Sequence, residues 1–153
     1  MIVFGKERDY VIHDEINIKG FFGDYRWLSN FEVCKIVYGG LEYPSSENAY
    51  QAAKTLNPEI KLELSMITPS KSKQVSKTLE VRSDWDEVKR QIMFDICLDK
   101  FTRNPELGTK LIETGDKYLE ETNHWKDIYW GVCDGQGQNN LGKILMDIRN
   151  IIR

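Results

Sequence analysis

Histidine and paired cysteine are what this chain has least of, and their scarcity removes whole classes of chemistry. Only His13 and His124 occur, neither in an HxxxH arrangement, and the three cysteines Cys34, Cys97 and Cys133 are odd in number, widely spaced and free of any CxxC pair. No zinc signature can be assembled from such a set, so neither a metal site nor a cofactor is expected. Unpaired thiols also fit a reducing compartment better than a disulfide framework. Cys97 falls in an apolar helical pattern and reads as core; Cys133 lies in a glycine-rich loop and reads as exposed, with no histidine beside it to make it a nucleophile. Long apolar runs are missing too. Nothing approaches the length of a membrane span, and the charges at Lys6, Glu7, Arg8 and Asp9 come too early for a secretory leader, so a cytoplasmic protein without a membrane partner is expected. Finally, no charge of one sign dominates. Twenty-one basic residues against 24 acidic ones leave a formal charge of −3, and any contact with nucleic acid must therefore be local.

What is present predicts one globular domain over residues 1–153, since 41% hydrophobic and 11% aromatic content is enough for a core. Short β-prone runs at Tyr10–Ile12, Glu15–Phe22 and Val33–Tyr38, punctuated by Gly20, Gly23 and Gly39-Gly40, predict strands and turns in the first quarter. Helices follow: one from Ser45, a second over Glu59–Ile67, a third from Thr68-Pro69 made basic by Lys71, Lys73 and Lys77. The longest runs from about Asp84 to Phe101 and the next from Glu106 to Thr114. A strand is expected near Tyr118–Thr122, another element near Ile128–Gly131, and a last helix on the apolar face Leu141, Ile144, Leu145, Ile148 and Ile151. The expected class is α+β, a predominantly helical domain with a small N-terminal sheet.

Three segments could carry chemistry. In Ser45-Ser46-Glu47-Asn48-Ala49-Tyr50-Gln51-Ala52-Ala53-Lys54, helical spacing puts Glu47, Tyr50, Gln51 and Lys54 on one face and Ala49, Ala52, Ala53 and Leu56 on the other. An ordinary solvated face accounts for that spacing as well, but Tyr and Gln between one acid and one base look more like the wall of a polar pocket. The glycine-rich run from Trp130-Gly131 to Asn139-Asn140-Leu141-Gly142 leads into the last helix, where backbone amides can hold a phosphate, although the spacing is neither a Walker loop nor a dinucleotide fingerprint. A plain flexible loop explains it equally. Trp27-Leu28-Ser29-Asn30-Phe31 joins aromatics that could stack a base to an Asn that could read its edge, or it is core.

Taken in order, these segments resemble the NADAR (YbiA-like) family from Phe22 to the final helix. The resemblance rests on Leu28-Ser29-Asn30-Phe31, on Tyr43-Pro44 followed by Ser45 to Lys54, on Trp85 ahead of a long helix with Met93 and Lys100-Phe101, and on Leu111 to Gly115. It continues through Asp127-Ile128-Tyr129-Trp130-Gly131, Gly137 to Gly142 and Leu145-Met146-Asp147-Ile148-Arg149. The chain departs from the family at Val132-Cys133-Asp134, where many members have more glycine, and in a longer loop over Thr122–Lys126.

The resemblance implies an N-glycosidase that cleaves a ribosyl C1′–N bond. The activities it implies are removal of ADP-ribose from guanine in nucleic acid, placed first, and cleavage of phosphorylated early riboflavin intermediates; a binding module for ADP-ribose or NAD is the non-catalytic alternative. The partner is accordingly ADP-ribosylated nucleic acid or a small phosphorylated nucleotide-like substrate. By the same resemblance Lys54 is a Schiff-base nucleophile, Glu47 its acid/base, and Asp127 and Glu121 polar residues for ribose hydroxyls or proton transfer, with Glu120 the alternative to Glu121. Asn30, Phe31, Tyr50, Gln51, Trp130, Gly131 and Asn139 are expected to bind substrate, Asn139 near its phosphate. Seven residues of helix place Glu47 and Lys54 about 10 Å apart along the axis, on one side of a ribose. A lysine of ordinary pKa is only about one part in 2,500 neutral at pH 7, so Lys54 must be desolvated or placed near another cation to attack.

Overall fold

The computed structural model describes residues 10–153, and whatever the strand pattern predicts for residues 1–9 lies outside them. The fold is α+β, built from two compact units: Asn30–Thr109 forms one, and the described residues up to Ser29 together with Lys110–Arg153 form the other.

The discontinuous unit begins with β1 (Ile12–His13) and β2 (Asn17–Lys19), which pair antiparallel around a turn. Asp14 makes that turn, its Oδ1 accepting the amides of Ile16 and Asn17 at 2.9 and 2.7 Å. The two backbone bonds hold its carboxyl below the usual range. Two strands this short do not hold by themselves. The sheet is completed from the far end of the chain by β5 (Tyr118–Glu120), parallel to β2 with Ile18 opposite Leu119, both fully buried. The small sheet is thus not purely N-terminal. Between β2 and the other unit the chain forms a 3-10 helix over Gly23–Leu28, where no helix is expected from the sequence, burying Trp27 and Leu28.

The strand expected at Tyr118–Thr122 is broken at Glu121, and β6 (Thr122–Asn123) turns to pair with β7 (Val132–Cys133). The final helix, Asn140–Ile152, lies against β5 through the predicted face, with Leu141, Ile144, Leu145 and Ile148 buried; Ile151 remains exposed. Gly142 permits this docking. A Cβ there would run into the Leu119 carbonyl and the Asn139 side chain.

In the continuous unit, β3 (Ile36–Tyr38) and β4 (Leu41–Tyr43) form a hairpin whose two-residue loop is Gly39-Gly40, with φ of 59° and 81°. Positive φ at both loop positions is the combination that matches strand twist and that glycine adopts without strain. Five helices follow along the chain, numbered with the final helix as α6: α1 (Ser46–Ala53), α2 (Pro58–Leu64), α3 (Pro69–Ser76), α4 (Trp85–Arg103) and α5 (Pro105–Glu113), the last of which runs past the end of this unit at Thr109. Ser45, Asn57 and Thr68 cap the first three through side-chain oxygens, and Pro58 and Pro69 stand in first turns where a missing N–H costs nothing. Helix α1 is the hub of this unit, packed against α2, α3, α4 and the hairpin. Two sequence expectations are corrected here. The second helix stops at Leu64 rather than Ile67, because the Asn48 amide takes the carbonyls of Leu64 and Ile67 at 2.8 and 2.9 Å. Leu56 is 68% exposed instead of continuing the alanine face, since α1 ends at Ala53 and Asn57-Pro58 starts a new helix.

Gly142→Ala tests the close approach of α6 to β5. Alanine in a helix would normally stabilise by about 1 kcal/mol. Here the overlap reverses the sign, and a loss of about 3 kcal/mol is expected, read as a thermal midpoint lowered by about 6–12 °C.

Candidate active site

Every residue of α1 is buried, its charged and polar ones included. A solvated face is therefore excluded: Glu47 is 7% exposed, Tyr50 8% and Gln51 4%. The sequence motif divides into two jobs. Ser45 and Asn48 are scaffold, the Ser45 hydroxyl accepting the Asn48 amide and donating to Asn48 Oδ1 while Asn48 Nδ2 terminates α2. Ala49, Ala52 and Ala53 are equally buried and leave room for the neighbouring elements. What remains is Glu47, Tyr50, Gln51 and Lys54. Gln51 Nε2 donates to Glu47 Oε2 at 2.6 Å, the Tyr50 ring lies 5.2 Å from that of Trp85, and Lys54 Nζ stands 5.2 Å from the centre of the Tyr50 ring.

Lys54 closes α1, and its backbone is fixed on both sides: its amide donates to the Gln51 carbonyl and its own carbonyl accepts from Arg82 at 2.8 Å. The side chain is only half-buried. Its amine is held below the ordinary lysine pKa, first by desolvation and then by the positive charges of Lys73 and Lys89, with Glu47 pulling the other way. Both conditions that a nucleophilic lysine requires are present together. Lys73 comes from α3, its Nζ 5.7 Å from the Phe31 ring centre, and Lys89 from α4, where it pairs with Asp86 at 3.2 Å. The sequence marks Lys73 only as part of a basic third helix and does not connect Lys89 with α1. No spacing rule tells which helix will lie against α1.

Asn30 reaches this cluster through its backbone, its carbonyl accepting the Glu47 amide at 3.0 Å. Its buried side chain faces sulfur, Nδ2 donating to Met93 Sδ at 3.6 Å and Oδ1 accepting from Cys97 at 3.9 Å. Through these bonds Asn30 supports the start of α1 from within the core, the second of the two readings that the sequence leaves open for this segment. Cys97 is core as expected, and burial pushes its thiol up to about 12.

The remaining expected residues lie in the other unit, gathered around one loop. Asp127 Oδ1 accepts the amides of Tyr129 and Trp130 at 3.2 and 2.9 Å, so this oxygen shapes the loop. Trp130 is half-buried and meets Tyr129 edge to face at 4.7 Å. The buried acid of the pair is Glu120, which binds the Tyr118 and Thr122 hydroxyls, whereas Glu121 is half-buried and contributes its backbone to Asn139 and Val132. Gly131 is packed so closely on the Glu121 carbonyl that a side chain there would overlap it. Cys133 is buried, against the expectation of an exposed thiol, because β7 pairs with β6.

The phosphate cradle expected at the start of the last helix does not form. The amides of Asn139, Asn140 and Leu141 already donate to the carbonyls of Gly131, Tyr129 and Trp130. Asn139, in the left-handed region at φ 53°, uses its side chain as well, accepting from Glu121 N and donating to the Leu119 carbonyl. Asn123 does similar work that the sequence did not flag, tying Asp127, Trp125 and Val132 to one amide. These asparagines are loop ties. Among the described residues no cluster of His, Cys, Asp and Glu is arranged to hold a metal, and no helix is long and apolar enough to cross a membrane.

Known proteins resemble this chain in fold and in sequence. A solution structure of YbiA from Escherichia coli matches with a TM-score of 0.79 at 29% identity, covering 95% of this chain and 90% of that one. The sequence of N-glycosidase YbiA from the same species is 33% identical over 157 residues, 97% of this chain and 96% of that protein. An N-glycosidase of Nostoc punctiforme is 35% identical over 136 residues, 84% of this chain and 86% of that one. A riboflavin biosynthesis protein of Vibrio vulnificus is 35% identical over 132 residues, which is 82% of this chain but only 35% of that longer protein. The family model described as NADAR domain covers residues 18–153. With the helix that carries Glu47 and Lys54 and the Gly131 to Gly142 loop both inside that span, the chain belongs to the NADAR domain family.

Proposed function

We propose that this protein is an N-glycosidase that hydrolyses a ribosyl C1′–N bond with Lys54 as nucleophile and Glu47 as acid/base. The observation that carries the reading is the desolvated lysine at the end of a buried helix, acted on by Lys73, Lys89 and Glu47. The neutral Lys54 amine attacks C1′ while the Glu47 carboxylic acid gives its proton to the departing nitrogen, breaking the glycosidic bond. The sugar ring then opens, its oxygen taking a proton as the lysine nitrogen forms the protonated imine. Glu47, now a carboxylate, takes a proton from water as that water adds to C1′. Collapse of the adduct releases the free sugar and restores the amine, so the balance is one water consumed per bond broken. Asp127 and Glu121 keep the supporting polar roles that the family resemblance assigns.

Two substrates contain this bond. Relatives named for riboflavin biosynthesis favour a phosphorylated riboflavin intermediate. Exposed lysines on α3, Lys71 and Lys73, with Lys77 just after it, favour ADP-ribosyl-guanine in nucleic acid, because such side chains can follow a phosphate backbone. A binding module that holds ADP-ribose or NAD has no use for a desolvated amine.

A side-by-side assay on an ADP-ribosylated guanine oligonucleotide and on a ribosylamino-pyrimidine phosphate identifies the substrate. Lys54→Ala is expected to lower turnover of the active substrate by about 10³-fold or more. Borohydride added during turnover should fix the sugar on Lys54 as a reduced adduct visible by peptide mass; a binder would stay unmodified. Lys73→Gln removes a positive charge that lowers the Lys54 pKa. The pKa then rises, less amine is neutral at a given pH, and the acid limb of kcat/KM should move to higher pH.

A further inference from the structure

Gln51 is 4% exposed, and its two amide atoms are in unlike situations. Nε2 donates to Glu47 Oε2 at 2.6 Å, while Oε1 is buried with no hydrogen-bond partner among the described residues. Ser46 and Ser72 also have unpartnered hydroxyl oxygens, but a hydroxyl can rotate to find a partner and a primary amide cannot without turning over both its ends. An ionised carboxylate only accepts, so it fixes the amide with nitrogen towards Glu47 and oxygen away from it. A buried carbonyl oxygen left in this way is costly unless something donates to it.

We propose that Gln51 is the positioning residue that favours the carboxylate which Glu47 becomes once it has given up its proton, and that in this form it presents Oε1 as an acceptor to a hydroxyl or N–H of the substrate. The inference rests on the N-glycosidase reading for the word substrate, and on the geometry alone for the coupling between the two side chains. When Glu47 takes a proton, its O–H needs an acceptor, and the Gln51 amide matches it by turning over, which puts a donor where the acceptor was. The proton on Glu47 and the group offered to the substrate therefore change together. Of the charges around this helix, Glu47 acts on Lys54 together with Lys73 from α3 and Lys89 from α4. From the remaining elements packed on α1, Lys61 of α2 feels Arg82 and Glu42 of β4 pairs with Lys35 at 3.6 Å, and β3 carries no charged residue.

The test is a carbon-13 NMR titration of the Glu47 carboxyl in the wild type and in Gln51→Met, which keeps the length and removes both polar atoms. Losing a hydrogen bond to the ionised form should raise the Glu47 pKa by about one to two pH units. Whichever limb of the kcat/KM profile Glu47 sets should move to higher pH by the same amount, with KM raised about tenfold for the lost acceptor. An unmoved titration overturns the proposal, as does a moved titration with unchanged KM. Absence of turnover by the wild type on both substrates would instead defeat the N-glycosidase reading, with the titration still deciding the Gln51–Glu47 coupling. If Gln51→Met fails to fold, Gln51→Glu serves: two adjacent carboxyls should titrate in separated steps, one of them raised, and a Glu47 titration like that of the wild type would overturn the proposal.

Discussion

The desolvation of α1 is the constraint on which the rest depends. Putting Glu47, Gln51 and the stem of Lys54 in a helix packed against four other elements takes ionisable groups out of water, and each such group must then find its partner inside the protein. The helix has only two turns, too short to be stable by itself. Its geometry is imposed from outside. The Ser45 hydroxyl and the Asn30 carbonyl take amides at its start, the Arg82 amide takes the carbonyl of Lys54 at its end, and Trp85 backs Tyr50. The amine at residue 54 is consequently held in place by its backbone while its tip keeps partial access to solvent.

Asparagine does in both units what longer secondary structure does in larger folds. Short strands and a long loop leave many backbone groups without ladder partners, and a primary amide can satisfy a donor and an acceptor at once. Asn48 ends α2 on α1, Asn123 gathers the loop after β6, and Asn139 and Asn140 bind the strand and loop to the start of α6. The glycines work with them. Gly131 and Gly142 lie where a carbonyl passes too close for any side chain, so the tight loop and its amide ties form one packed object.

Helix positions, the hairpin and the apolar face of the last helix were legible because they follow from local rules: a capping hydroxyl, a proline in a first turn, Gly39-Gly40 between β-prone runs, a repeat near 3.6. The 3-10 segment before Ser29 was not, nor were the pairing of β2 with β5 and the break at Glu121, the last two because they depend on a residue a hundred positions away or on a side-chain bond that leaves no period. The site was legible in part. Glu47, Tyr50, Gln51 and Lys54 were singled out as a stripe whose composition suits a pocket, whereas spacing also put Leu56 with the alanines, an error caused by extending the helix past Lys54. The start of the last helix was not legible because a glycine-rich approach to a helix has the same sequence appearance whether its amides await a phosphate or are already bonded to carbonyls, as those of Asn139 to Leu141 are. The effect of Lys73 and Lys89 on Lys54 was not legible because it is a matter of tertiary placement alone.

The polar groups on α1 also bear on what the protein is for. A lysine pushed towards neutrality by burial and by two like charges costs stability, as does a buried amide oxygen with nothing donating to it. Two such costs within one turn and on one helix are not forced by packing: a methionine would fill much of the Gln51 volume without a polar atom, and a longer alanine face would pack at least as well. Elsewhere in the same unit the chain satisfies its buried amides, Asn48 making three hydrogen bonds through one side chain. The contrast is local, and it falls on the groups that the proposed chemistry uses. Under the proposed chemistry such strain would be balanced when a ligand supplies the missing donor and an electrophile uses up the amine, so that the stability cost of α1 would be tied to turnover rather than to folding.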